Sequence, residues 1–296
     1  MKRREFLAAV TCGTGVLSGC STDPESNREP SPTPEPTVPP DVTTITEKRS
    51  PEIPDDISDA ATARRFVEAH ERRYVHNELV DGFGTNLPAT EITVESTDAA
   101  VVYTTDDGYY LLSTCRGSAQ YYDPDGSPRR AGRNAASVAH FVGSDTHRRI
   151  PFNAYRCAEP VVTDADEGHE DRSPARFQIY DFETPPNYDQ PEQGGHEVTV
   201  RVSDTVGETV LDRDYQTSLP LTVQPRVTRT TGGYSLSVST TDSGHAQHDW
   251  SLSGATDPTW WALAVLITHS GDVTVQTLYP TEEVGLPSAS LCTRME

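Results

Sequence analysis

Eight short β-strand patterns follow one another in the second half of the chain, and this succession limits the fold more than any other feature. Each pattern is rich in β-branched and aromatic residues, and turn residues such as Gly232 and Gly271 separate neighbouring patterns. This regular spacing is typical of a β-sandwich. The predicted strands are 176–182, 196–202, 208–215, 219–227, 234–240, 246–252, 260–268 and 272–278. We therefore predict an all-β, immunoglobulin-like sandwich over residues 175–282.

The most apolar of these patterns, residues 260–267, has a second interpretation as an aromatic patch that faces a ligand. The pattern is short and lies between Pro258 and Gly271. A short, continuous apolar run of this kind is typical of a strand that is buried on both faces. We therefore predict that it forms a central strand of the sandwich.

Residues 58–165 combine one helix pattern with several strand patterns. Ser58 or Asp59 can cap a helix over 60–80, whose apolar residues recur at helical spacing and which ends at Asp81 and Gly82. A hairpin turn is predicted at 106–108 and a β-bulge at Gly117. The predicted strands are 91–95, 99–105, 109–115, 118–122, 137–143 and 150–157. These patterns predict an α+β N-terminal domain, in which one long helix packs on an antiparallel sheet.

The first 19 residues have the layout of a twin-arginine (Tat) export signal, in which Arg3 and Arg4 precede a modest apolar stretch. This stretch is too short to cross a membrane as a helix. It ends in the four residues of a lipobox, which are Leu17, Ser18, Gly19 and Cys20. We expect the Tat export machinery to be a partner, and we expect cleavage before Cys20 with a lipid on its sulfur. The lipid would hold the protein at the extracellular face of the cell membrane.

A Pro- and Thr-rich segment follows the lipobox and separates it from the folded part of the chain. Proline at this density blocks helices and sheets and favours extended polyproline II structure. We therefore predict that residues 20–57 form a disordered stalk and that residues 283–296 form a tail.

The charge of the chain is strongly acidic, with 45 Asp and Glu residues against 24 Lys and Arg residues and a formal net charge of −21. This charge argues against a nucleic-acid partner, because the phosphate backbone attracts basic surfaces. Lys2 and Lys48 are the only lysines in the sequence. Because concentrated salt screens the repulsion among carboxylates, a lysine-poor acidic chain of this kind is typical of a halophile.

Four sequence features together resemble uncharacterised Tat-exported lipoproteins of haloarchaea. They are the signal from Arg3 to Cys20, the Pro- and Thr-rich stalk, the helix sequence around His70 and Tyr74, and the strand at residues 196–202. The resemblance covers most of the chain and implies a cellular location and a domain architecture. It implies no activity, so no functional residue is transferred from it.

Three cysteines remain besides Cys12 of the signal and Cys20 of the lipobox, and a disulfide between two of them is allowed outside the cell. Cys115 and Cys157 both lie on predicted strands of the first region, so they are the preferred pair. Cys292 is then a free thiol of the tail or an alternative partner.

The nine histidines raise the question of a metal site, and three groups of residues are candidates. His245, His248 and Asp249 lie close in sequence, but residues three apart on a strand point to opposite faces. The acidic loop before His169 lacks the spacing of a calcium loop. On the predicted helix, His70 and His76 lack the spacing of a zinc motif. We therefore expect no metal and no other cofactor.

The leading functional hypothesis is a non-enzymatic binding or envelope-structure module, whose partner would be a surface protein or a glycan. The alternative is a small-ligand binder or a hydrolase that uses a concave pocket in the N-terminal domain. Five tyrosines could line such a pocket or pack within the sheet: Tyr103, Tyr109, Tyr110, Tyr121 and Tyr122. Catalysis by Ser, His and Asp residues that meet only in space stays open at this point.

Overall fold

The described part of the chain folds mostly into β-strands, with one long helix and three sheets. The structure is a computed structural model. It describes residues 38, 41–50, 57–82, 87–133, 137–152, 155–161, 168–169, 172–183, 195–241, 244–254, 256, 258–278 and 292. The predicted Tat signal, the lipobox with Cys20 and most of the predicted stalk lie outside these residues.

Helix α1, Ala60–Val80, confirms the predicted helix. The side chain of Asp59 caps it by accepting a hydrogen bond of 2.7 Å from the backbone N–H of Thr62. Gly82, at a φ of 68°, follows the helix and lets the chain turn away. The buried face of α1 consists of Ala63, Phe66, Val67, Glu71, Val75, His76 and Leu79.

The first sheet is antiparallel and has the order β1-β2-β4-β5, with β3 also paired to β2. Its strands are β1 Glu91–Thr105, β2 Gly108–Tyr122, β3 Pro128–Arg133, β4 Val138–Val142 and β5 His147–Pro151. The hairpin turn at 106–108 is confirmed. The two patterns 91–95 and 99–105 form one continuous strand, and β3 lies in a segment for which no strand was predicted.

The predicted bulge lies in the strand opposite Gly117. The register changes from Val94 opposite Gly117 to Ser96 opposite Arg116, so Glu95 of β1 is the extra residue. Gly117 is needed for another reason: a Cβ atom there would lie 2.9 Å from Val75 Cγ1 of the helix. The glycine therefore permits the close approach of α1 to the first sheet.

All eight strands predicted for the second region are present, with small shifts at their ends. The second sheet has the order β14-β13-β7-β10-β6, and the third has the order β12-β11-β8-β9. Their strands are β6 Arg156–Cys157, β7 Ala175–Asp181, β8 Glu197–Asp204, β9 Thr209–Gln216, β10 Leu221–Thr228, β11 Gly232–Thr240, β12 His245–Leu252, β13 Leu263–Ile267 and β14 Val273–Thr277. The predicted strand 150–157 divides into the end of β5 and the short β6.

The second and third sheets pack face to face through one apolar cluster, which includes Phe177, Val200 and Trp250. This is the packing of a β-sandwich. The strand order differs from the immunoglobulin order, because β8 and β9 pair in one sheet. Immunoglobulin domains place their second and third strands in opposite sheets. In the second sheet, β7 and β13 are neighbours and run parallel.

The first sheet packs against the other face of the second sheet, so α1 and the three sheets stack as four layers within the described residues of the unit 36–296. The contact includes Tyr110 and Phe141 from the first sheet with Tyr180 and Leu266 from the second. Strand β13 is buried along its whole length as a result, as expected for the apolar run 260–267. The ranges 58–165 and 175–282 share this core, and residues 36–296 group into one compact unit. A domain boundary between them stays a prediction.

The disulfide joins Cys157 to Cys292, with 5.8 Å between the two Cα atoms. The preferred pairing of Cys115 with Cys157 is therefore wrong, and the alternative partner is the one used. Cys115 is a buried free cysteine that packs under α1, with its Sγ 3.1 Å from Thr97 Oγ1. Cys157 contacts the cluster on the opposite side of the first sheet. The first sheet therefore separates the two sulfurs.

Within the described residues, no helix combines the length and the apolar character that a membrane span requires.

Candidate functional site

Two neighbouring features of the α1 layer concentrate polar chemistry. The first, named here the buried polar cluster, consists of Glu71, Ser113, His140, His147 and Arg149. The second, named the arginine groove, is a cavity of about 360 Å³ at the edge of β1. It is lined by Arg49, Arg72, His76, Ile92, Val94, Glu95 and Ser96.

The centre of the buried polar cluster is an ion pair between α1 and β5. Glu71 lies on the buried face of the helix and is 1% exposed. Arg149 donates from Nε to Glu71 Oε1 at 2.6 Å and from Nη2 to Oε2 at 3.1 Å. Its guanidinium also lies 3.6 Å from the ring centroid of Tyr74. Two hydrogen bonds and an aromatic contact together hold this charge pair in a low-dielectric interface.

Two histidines extend the cluster along the first sheet. His140 Nε2 lies 2.8 Å from Ser113 Oγ, and His140 Nδ1 lies 3.1 Å from His147 Nε2. Burial, followed by the nearby His147 and Arg149, holds the pKa of His140 well below its usual range. Burial and the neighbouring His70 lower the pKa of His147 to about 3. Both rings are therefore neutral at pH 7.

Ser113 and His140 have the hydrogen-bond geometry of a nucleophile and its base. Both residues, however, have a relative exposure of 0%. Burial also raises the pKa of the nearby Cys115 thiol to about 11, so this thiol is protonated at neutral pH. In this arrangement the cluster joins the helix to the sheet, and substrate has no access to Ser113.

The arginine groove, in contrast, is open to solvent. Arg49 belongs to a segment that docks on α1 through Asn77. The Arg49 N–H donates to Asn77 Oδ1 at 2.8 Å, and Asn77 Nδ2 donates to the Arg49 carbonyl at 2.8 Å. Residues 41–50, which fall within the predicted stalk, also form an isolated antiparallel bridge just before β1, in which the Ile45 N–H donates to the Ala89 carbonyl at 2.6 Å. The groove therefore lies where the stalk meets the folded part of the chain.

A second cavity, of about 390 Å³, lies at one end of the third sheet. Its lining includes Asp204, Tyr234, Asp249 and Trp250. The two aromatic rings belong to the sandwich core, since Trp250 is 1% exposed and donates from Nε1 to the Thr259 carbonyl at 2.7 Å. Their faces are therefore used for packing, and they offer little surface to a ligand.

The candidate metal residues are not brought together in the described part of the chain. His245 is exposed and His248 is half-buried on opposite faces of β12, as predicted for residues three apart on a strand. Among the residues that the structure describes, no group of three His, Cys, Asp or Glu side chains is placed to hold a metal ion. Most of the acidic loop before His169 lies outside those residues.

The five candidate tyrosines do not line one pocket. Tyr109 and Tyr121 face α1, where Tyr121 Oη donates to the Leu79 carbonyl at 2.8 Å. Tyr103 and Tyr110 face the second sheet, and Tyr110 Oη lies 2.6 Å from His269 Nδ1. The fifth, Tyr122, accepts a hydrogen bond of 3.2 Å from Gln120 Nε2. These contacts agree with the interpretation that the tyrosines pack the sheet.

Sequence reasoning missed the histidines of the sheet and the groove. A usable signal for the first was His140 within the otherwise apolar strand Val138–Val142, since a polar residue at a core position needs a partner. A signal for the second was the basic pair of Lys48 and Arg49 at the end of an acidic, proline-rich segment.

Comparison with protein-family models, with curated proteins and with solved structures finds no match for this chain. A function for the protein is therefore inferred from its own residues.

Proposed function

We propose that this protein is a lipid-anchored cell-surface protein of a halophile, and that its folded part is a non-enzymatic binding or envelope-structure module. The observation that carries the proposal is the disulfide between Cys157 and Cys292. Disulfides persist in oxidising surroundings outside the cytoplasm. This bond therefore supports the export that Arg3, Arg4 and the lipobox predict.

The anchor in this proposal is a lipid on Cys20. A single acyl chain binds a membrane only marginally, whereas two chains anchor a protein stably. We therefore propose a lipid with two chains, joined through the stalk to the folded layers. The acidic, lysine-poor composition supports a saline environment, where the repulsion among carboxylates is screened.

The folded part is proposed to be a binding platform made of an α+β layer and an immunoglobulin-like β-sandwich with its own strand order. Polar contacts on the outer face of the third sheet support this role, such as the ion pair between Arg201 and Asp212. Among the described residues, Tyr155 and Val206 are the exposed large hydrophobic side chains. We therefore propose that a surface protein or a glycan binds through polar contacts.

The proposal is tested by fractionating cells that express the native chain or the Cys20→Ser variant. We expect the native chain in the membrane fraction and the variant in the medium. Cys115→Ser is the matched control and should remain with the membrane, because Cys115 is buried under α1. Release of the native chain into the medium, or retention of Cys20→Ser in the membrane fraction, would contradict the lipid anchor.

A second candidate function, the binding of a small ligand by the α1 layer, is favoured by the arginine groove. Arginine donates hydrogen bonds and keeps its proton at neutral pH, so it suits binding better than proton transfer. The hydrolase version has weaker support, since the Ser113–His140 pair is buried.

A further inference from the structure

We propose that the arginine groove binds an organic oxyanion, namely a carboxylate, sulfate or phosphate group carried on a small and partly apolar body. The proposal deepens the binding role above and rests on it for the location of the ligand outside the cell. The geometry of the groove is independent of that location.

The first argument is the placement of positive charge in a chain with far more acids than bases. Arg49 and Arg72 are both exposed, and both line the same cavity. Within the described part of the chain, no carboxylate lies in ion-pair distance of either guanidinium. Other arginines have such partners, as Arg64 has Glu68 at 2.8 Å. The groove therefore concentrates positive charge that the described carboxylates do not pair with directly.

Among the described residues that line the groove, Glu95 is the one carboxylate, and it has contacts of its own. Glu95 Oε1 accepts a hydrogen bond of 3.3 Å from Ser118 Oγ, and it lies 4.0 Å from Arg130 Nη2. Arg130 Nη2 also donates to Ser118 Oγ at 2.8 Å. These contacts hold Glu95 with Ser118 and Arg130, so the two groove arginines remain available to an anion.

The second argument is that rigid elements hold both arginines. Arg72 projects from the middle of the 21-residue helix α1, one turn before His76. The backbone of Arg49 is fixed to the same helix by the two hydrogen bonds with Asn77. Because the backbones are already positioned, an anion that bridges the guanidiniums orders only side chains, and this reduces the entropy cost of binding.

The third argument concerns the body of the ligand. Half-buried Ile92 and Val94 form an apolar part of the lining, and Ser96 adds a hydroxyl. A volume of about 360 Å³ falls in the range of small-molecule pockets. An oxyanion on a small ring or short chain would therefore contact both the guanidiniums and the apolar lining. Short, charge-assisted hydrogen bonds of this kind persist where salt screens distant charges.

The experiment is isothermal titration calorimetry of the full chain in detergent. The buffer contains about 1 M KCl, in which the Debye screening length is about 3 Å. The probes are inorganic phosphate, phenyl phosphate and benzoate. We expect phenyl phosphate to bind more tightly than inorganic phosphate, because only the former buries apolar surface. Arg49→Gln and Arg72→Gln should each weaken binding about tenfold, which corresponds to the loss of a charge-assisted hydrogen bond.

The matched control is Arg65→Gln, which removes an exposed arginine near the start of the same helix, bound to Thr62. This variant should bind phenyl phosphate as the native chain does. Arg72→Lys should recover part of the affinity, and circular dichroism should show all variants folded. The proposal is overturned if the native chain binds none of the probes. It is also overturned if Arg65→Gln weakens binding as much as Arg72→Gln.

A second arm identifies the source of the oxyanion. Phosphatidylglycerol vesicles are added to the Cys20→Ser chain in the presence of phenyl phosphate. Displacement of the probe supports the site and assigns the oxyanion to a lipid headgroup, whereas unchanged binding supports the site and assigns it to a free ligand. Cell fractionation tests the lipid anchor on Cys20, and the titration tests anion binding in the arginine groove. Failure of one proposal is therefore distinguishable from failure of the other.

Discussion

The interface beneath α1 and the interface between the second and third sheets hold their layers together by different chemistry. The sandwich core is built from side chains such as Phe177, Val200 and Trp250. The interface beneath α1 adds a buried ion pair and fully buried His140 to its apolar contacts. Hydrophobic burial is insensitive to pH and has no preferred direction, whereas a buried charge is costly unless it is fully paired. The two interfaces should therefore respond differently to mutation and to pH.

The largest effect is expected in the sandwich core, from Phe177→Ala. Phe177 is fully buried, and its ring packs edge-on against Tyr215 with centroids 5.9 Å apart. The free energy of unfolding should fall by about 4 kcal/mol, since a large cavity replaces the ring. Denaturant titration in high salt measures this change, and the loss should be equal at pH 7 and pH 6. Val206→Ala, at a residue 80% exposed, is the control and should have little effect. A loss below about 1 kcal/mol for Phe177→Ala would contradict the assignment of this core.

The next largest effect is expected beneath α1, from Arg149→Met. This change leaves the Glu71 carboxylate buried without its bidentate partner, and it should cost about 3 kcal/mol of unfolding free energy. Adding Glu71→Leu should restore most of the loss, because an apolar pair then replaces the charges. Denaturant titration of the single and double variants measures the coupling. If the loss of unfolding free energy in the double variant equals the sum of the losses in the two single variants, Arg149 and Glu71 do not interact.

A smaller loss is expected from Gly117→Ala, which tests how closely the helix approaches the first sheet. The added Cβ would lie 2.9 Å from Val75 Cγ1 and 3.0 Å from Leu79 Cδ1. The helix must therefore shift, and the free energy of unfolding should fall by about 2 kcal/mol. Thermal or denaturant unfolding measures this change. Gly132→Ala is the matched control, because its nearest neighbour would be 3.4 Å away. Equal losses in the two variants would contradict the close packing at Gly117.

The smallest effect is the response to mild acid. The pKa values of His140 and His147 lie below their usual range in the folded chain, so the unfolded chain binds protons more readily as pH falls below about 6.5. Lowering the pH from 7 to 6 should therefore reduce the free energy of unfolding by about 1 kcal/mol. The double variant His140→Gln and His147→Gln should lose most of this dependence, and the remainder belongs to His269, whose pKa burial also lowers. His245→Gln, at an exposed site, should keep it. An unchanged pH dependence in the double variant would contradict the buried, neutral state of the two rings.

The same contrast explains how much of the fold could be predicted from the sequence. Hydrophobic periodicity and turn residues report local burial, so they predict the eight strands of residues 176–278 and helix α1. The pairing of Cys157 with Cys292 depends on where the tail returns, which no local pattern encodes. The same is true of the stacking of the first sheet on the second, since it depends on contacts between residues far apart in sequence.

The candidate site was harder to predict for the same reason. Glu71 and His70 were visible as polar residues of the helix, but their environment is supplied by β4 and β5. The prolines around Arg49 dominate the composition and predict a stalk there, yet two hydrogen bonds fix the backbone of Arg49 to Asn77. Such convergence occurs in space and leaves no periodicity along the chain.

The most direct test of the proposed surface protein is the intact mass of the chain from its native membrane, with thiols alkylated before and after reduction. We predict a chain that begins at Cys20 and carries the mass of a lipid. Denaturation without reduction should expose one thiol, from Cys115, and reduction should add the two from Cys157 and Cys292. A chain without lipid, or with three reactive thiols before reduction, would contradict a tethered protein outside the cell.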